Sequence, residues 1–146
     1  MPALARSSVL ADTYRDYIAV EAIADPIRTF QAQLVPGLLQ TPGYLRAVTV
    51  ASQQWRSADG IEQFVRVRPA GQERLTEDPP LHLWADLSEG VLLQQVGRPQ
   101  VMRSQLRHIL DAGHPLPGPL RRRTHIRALS GGARALIHRR TKEHKP

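Results

Sequence analysis

The chain has 146 residues, no cysteine, 41% hydrophobic and 5% aromatic residues, and a formal charge of +7. That length suits one domain with a real core. Zero cysteines exclude disulfides and thiolate metal sites, and no apolar run approaches the ~20 residues that span a bilayer.

The charge is unevenly placed. Residues 1–110 balance, while residues 111–146 hold seven arginines and two lysines against Asp111 and Glu143. The high pI therefore describes the C-terminal end and not the body of the chain. The N-terminal stretch has no sustained apolar core of the secretory type, so a cytoplasmic protein is expected.

Residues 1–13 are expected to be loose. Val9 to Ala24 predicts a helix with Leu10, Tyr14, Tyr17, Ile18 and Val20 near one face, and Arg15 and Glu21 outside. Asp25-Pro26 ends it, because the residue before proline avoids the helical region. Ile27–Val35 predicts an extended segment, with Ile27, Thr29 and Gln31 on one side and Arg28, Phe30, Ala32 and Leu34 on the other. Phe30 and Tyr44 are read as inward. Pro36-Gly37 is a turn, and Thr41-Pro42 is a helix start, with Thr41 as cap and Pro42 at the first helical position. That helix runs to about Gln54 with Tyr44, Leu45, Val48 and Ala51 inward.

Asp59-Gly-Ile-Glu62 has capping-box spacing and opens a helix to about Arg68. Pro69 and Gly71 break it into two short helices or a kink, since a proline inside a helix costs about 3 kcal/mol. Leu81–Asp86 alternates and predicts a strand with Leu81, Leu83 and Ala85 on one side. Ser88–Leu93 reads as a short helix. Pro99–Leu110 is the strongest helix, with Val101 or Met102, Leu106, Ile109 and Leu110 as its apolar face. The fold class expected is α+β, mostly helical with a few short strands. After Leu110 no sustained period continues, so residues 111–146 are expected to be a disordered basic tail and the domain at 14–110 incomplete.

The segment Ile27–Tyr44, IRTFQAQLVPGLLQTPGY, is the most distinctive. Its glutamines carry both donors and acceptors without net charge. It makes Phe30, Gln31, Gln33, Pro36, Gly37, Gln40 and Tyr44 candidates for a partner- or ligand-binding surface, with Trp55 as added anchoring area. The alternative is that the aromatics are core and the glutamines cap turns.

From Tyr17 to Val48, YIAVEAIADPIRTFQAQLVPGLLQTPGYLRAV resembles a domain of unassigned function in actinobacterial regulators. The resemblance returns loosely at Gln72–Leu75, Leu83–Leu92 and Val96–Leu110. Those regulators carry an XRE-type helix-turn-helix ahead of this domain, and some are antitoxin-like. The resemblance implies an effector or partner-binding half, docking a small protein encoded nearby or a homologous regulator, with self-association possible. The residues ahead of Tyr17 are too few for a three-helix DNA reader, so specific DNA binding by this chain alone is not expected.

Chemistry has thin support. Gly131-Gly132 has no strand before it, and His82, His108, His138 and His144 lack metal spacing. Glu73, Glu77 and Asp78 read as a solvated helix end. His82, Trp84 and Asp86 share one strand face, read as the exposed face of an edge strand. No catalytic residue, cofactor or metal is expected. The rival function is non-specific nucleic-acid binding through Arg121, Arg122, Arg123, Arg127, Arg139 and Arg140, although residues 111–146 lack aromatics to stack on bases.

Overall fold

The two alternating segments of the sequence, IRTFQ and LWADLS, form adjacent strands, and a third joins them from the basic end of the chain. A computed structural model describes residues 16–52, 57–114 and 124–130. Strands β1 (Ile27–Gln31), β2 (Leu83–Ser88) and β3 (Thr124–Leu129) make one sheet in the order β1-β2-β3. All pairings are parallel, with Ile27 opposite Leu83 and Leu83 opposite Thr124. Parallel neighbours need long crossovers, and the helices occupy them. The first crossover carries a 3₁₀ turn at Gly37–Leu39, α2 (Pro42–Ser52), α3 (Ala58–Val67) and α4 (Pro69–Glu73). The second carries α5 (Glu89–Leu93) and α6 (Pro99–Gly113). Helix α1, described over residues 16–23, precedes β1. The class is α+β.

The helix starts follow local chemistry. Thr41 Oγ1 accepts from Tyr44 N at 3.2 Å, and Pro42 opens α2 as expected. Helix α3 is capped by Ser57, which accepts from Gly60 N at 3.2 Å. Asp59 instead lies inside the first turn, where its charge meets the helix dipole. Pro69 splits the next stretch into α3 and α4, with Arg68 at the joint. Gly97, at φ +65°, makes the turn into α6, and a Cβ there would press on Ala47 at 2.9 Å.

One face of the sheet is the floor of the core. Leu83, Ala85 and Leu87 point into it and meet Val35, Leu38, Leu39, Tyr44, Val91, Met102 and Ile109. On α6 the buried positions are Met102, Gln105, Ile109 and Ala112. Leu110, expected inside, is exposed, and the polar Gln105 takes a place on the buried stripe.

Three further expectations are corrected. Glu21, placed on the outer side of α1, is buried, because the Arg68 guanidinium meets it at 2.6 and 3.1 Å. Phe30 points outward and is 62% exposed, because β1 gives its Ile27, Thr29 and Gln31 side to the interior. Residues 111–146 do not all lie outside the fold: 111–113 complete α6, and Thr124–Leu129 pairs with β2 along its length. THIRAL alternates Thr124, Ile126 and Ala128 against His125, Arg127 and Leu129, so it fits a half-buried strand despite its basic surroundings.

Candidate functional site

The glutamine-rich segment folds into a loop that crosses the core, and its backbone must find partners there. Glutamines from three places supply them. Gln40 Nε2 donates to Val35 O at 2.7 Å. Gln72, on α4, donates to Gly37 O and Gln40 O at 3.0 and 2.6 Å. Gln105, on α6, accepts from Thr41 N and donates to Leu39 O, both at 2.7 Å. Tyr44 Oη accepts from Val35 N at 3.2 Å, and burial pushes the phenol pKa above its ordinary value. Gly37 lies against Arg68: a side chain there would overlap the guanidinium.

This network decides most of the candidate surface. Pro36, Gln40 and Tyr44 are buried and Gly37 is half-buried, so they hold the loop and do not face solvent. Gln31 is half-buried and donates to Thr29 Oγ1 at 2.9 Å. Gln33 is exposed. Phe30 leaves the group altogether and joins the outer face of the sheet. Trp55 lies outside the described residues. Gln72 and Gln105 were missed by sequence reasoning. The only trace of Gln105 was its place on the inner stripe of an otherwise apolar helix.

The outer face of the sheet brings together residues far apart in sequence. Arg28, Trp84 and His125 lie in one row across the three strands. Trp84 and His125 stack with ring centroids 4.1 Å apart, and the Arg28 guanidinium lies over the indole at 5.7 Å. The next row is Phe30, Asp86 and Arg127. Asp86 takes Arg127 in a two-pronged pair with both contacts at 2.8 Å. The aspartate holds the guanidinium proton more tightly than usual, raising the Arg127 pKa. Both side chains remain partly in water, so solvent screens the pair and it adds little to stability.

Trp84 and Asp86 do share a face of β2, with His82 just ahead of the strand, but β2 is the central strand and not an edge. Of the arginines proposed for nucleic acid, Arg127 is committed to Asp86; Arg121, Arg122, Arg123, Arg139 and Arg140 lie outside the described residues. Among the described residues, no group of three or more His, Asp and Glu side chains is placed to hold a metal ion. A depression of about 610 Å³ beside α3 is lined by Asp59, Glu62, Gln63 and Arg66, all from that one helix. Glu62 there pairs with Arg46 at 2.7 Å, which pulls its carboxyl pKa down. It is a charged helix flank and gathers no convergent groups.

Residues 14–115 match the model of a family described as a domain of unknown function (DUF5753). The chain belongs to that family. The match takes in α1, β1, the glutamine-stapled loop, β2 and α6, and it stops before β3. No curated protein and no solved structure matches the chain. Among the described residues, no helix is long and apolar enough to cross a membrane.

Proposed function

We propose that this DUF5753 domain is a non-catalytic protein-binding module whose docking surface is the outer face of its sheet. One observation carries the reading. A parallel sheet is normally covered on both faces, yet here Phe30 and Trp84 stand 62% and 48% exposed on the side away from the core. Aromatic side chains of this kind anchor interfaces. Two ionic pairs near them are already made, Asp86 with Arg127 and Asp25 with His82, while Arg28 stands against the Trp84 ring. Such a face is suited to recognition.

The resemblance to the effector half of XRE-type, antitoxin-like regulators agrees with this role. Its partners would be a homologous regulator chain or the small protein encoded beside it. In an intact regulator the mechanism is linkage. A partner that prefers one arrangement of the domain shifts the operator affinity of the attached reader by its differential affinity for the two states.

Trp84 reports the event directly. In a Trp55→Phe background its fluorescence should shift to the blue on adding the neighbour-encoded protein, or on raising the concentration of the chain itself. Phe30→Ser should weaken the response at least tenfold without unfolding the domain. A Trp84 signal indifferent to both additions would refute the reading. Titration with a single-stranded oligonucleotide over a salt series tests the nucleic-acid rival, whose affinity must fall steeply with salt.

A further inference from the structure

The exposed aromatic side chains of the sheet face have a complement on the same chain. Helix α1 is held from its inner side by two arginines. Arg68 grips the Glu21 carboxylate, and Arg74 donates to Glu21 O and Ala24 O at 2.6 and 3.1 Å, capping the last turn. These contacts fix the described turns of α1 in place. What it buries is a carboxylate. Its apolar arc therefore faces out: Val20 is 62% and Ile23 83% exposed. Exposed Asp16 falls on the same arc, since 16, 20 and 23 follow the i, i+4, i+7 spacing.

We infer that α1 of one copy covers the outer sheet face of a second copy, and that the exchange is reciprocal. The inference rests on the docking-face reading and names its occupant. Three features favour a second copy. First, a parallel sheet is ordinarily covered by helices, and α1 turns the apolar side chains of Val20 and Ile23 to solvent. Second, the charges match: Asp16 on the arc would meet Arg28, which stands with Trp84 in the aromatic row.

Third, the areas match. Three strands of five or six residues offer a face of at most roughly 14 by 20 Å, or about 300 Å². One helix on such a face removes at most about 600 Å² in total, too little for a stable complex. Two reciprocal contacts approach the roughly 1,200 Å² at which stable interfaces begin, and a twofold axis supplies the second without new chemistry.

The absence of cysteine makes the test clean. Two full-length variants, Ile23→Cys and Phe30→Cys, are mixed in a glutathione redox buffer. Sedimentation of the unmodified chain should give the dimer mass. The mixed Ile23→Cys/Phe30→Cys disulfide should exceed both like-with-like disulfides by roughly tenfold or more, as expected for thiols brought together by a specific contact.

A monomer at all concentrations overturns the inference. So does a dimer that cross-links only Phe30→Cys to itself, which would be face to face, or only Ile23→Cys to itself. A double variant that closes an intramolecular disulfide as a monomer would place α1 on its own sheet, with the same consequence. If the chain stays monomeric but Trp84 still responds to the neighbour-encoded protein, only this inference falls. A Trp84 that answers to a single-stranded oligonucleotide alone, or to nothing, removes the docking-face reading as well.

Discussion

The loop at 35–41 and the outer face of the sheet both combine polar and aromatic side chains, and they use them in opposite ways. In the loop the glutamine and tyrosine side chains take their partners inside the molecule. Gln40, Gln72, Gln105 and Tyr44 each contact a backbone atom that would otherwise be stranded in the core. On the sheet face the polar groups partner one another, and the large apolar surfaces of Phe30 and Trp84 are left to solvent. The contrast teaches that a distinctive sequence pattern can mark a demanding piece of folding, while the surface we propose for recognition is assembled from ordinary-looking residues on three strands.

The sharpest break of that contrast lies where α1 meets α3. Glu21→Ala would leave the Arg68 guanidinium buried without its carboxylate, and about 3–5 kcal/mol of unfolding free energy should disappear. Arg68 Nε already has no hydrogen-bond partner, so the group has little to fall back on. Replacing both partners, as in Glu21→Leu with Arg68→Met, should recover most of that loss, because the desolvated charges go together. Urea midpoints measure all three chains. A loss under about 1 kcal/mol for Glu21→Ala would mean that the pair is solvated and the clamp on α1 is loose.

Next comes the staple. Gln105→Leu removes the partners of Thr41 N and Leu39 O together, and should cost about 2–4 kcal/mol. Gln33→Ala, on the same segment but exposed, should stay within about 0.5 kcal/mol. Equal effects at the two glutamines would erase the distinction between a structural loop and a surface.

The outer face should behave in the reverse sense. Trp84→Ser gives up its stacking with His125 and the Arg28 contact, both in water, so stability should fall by about 1 kcal/mol or less. Dimer or partner affinity should fall at least tenfold, as for a central aromatic anchor. Thermal melts and sedimentation, run on the same preparation, separate the two quantities. A large stability loss with unchanged association would turn Trp84 into a fold residue.

The local grammar of this chain was legible where one or two residues determine an outcome. Thr41-Pro42 starts a helix, Pro69 breaks one, and the alternation of Leu81, Leu83 and Ala85 puts a strand's inner side in the core. What was not legible depends on distant partners. Nothing near Glu21 shows that Arg68 will bury it. Nothing in IRTFQ says which of its two sides the helices will cover, so Phe30 was assigned inward. The third strand was hidden by composition. THIRAL has a period of two, but arginine-rich neighbours made the whole segment read as solvated. The candidate set divides for a related reason: glutamine is equally suited to a ligand and to a stranded backbone amide, and only the fold turns Gln40 to the core and Phe30 to solvent.

The smallest expected effect concerns the joint between α1 and β1, where the clamped helix turns into the sheet. Asp25 Oδ1 accepts from His82 N at 3.0 Å and lies 3.0 Å from His82 Nδ1. The backbone N–H of His82, and then its ring, hold the Asp25 carboxyl below its ordinary pKa of 3.8. A carboxyl depressed in the folded state adds stability above its unfolded pKa, and loses that contribution as pH falls through the folded value. Wild type should therefore exceed Asp25→Asn by a small margin above about pH 4, and the margin should close as pH falls below it. The asparagine keeps an oxygen for His82 N, so the comparison isolates the charge. Other depressed carboxyls, Glu62 among them, titrate in both proteins and cancel. A margin unchanged down to about pH 2 would show that the bond needs no ionised carboxylate. The orientation of α1 toward a second copy would then rest on Arg68 and Arg74 alone.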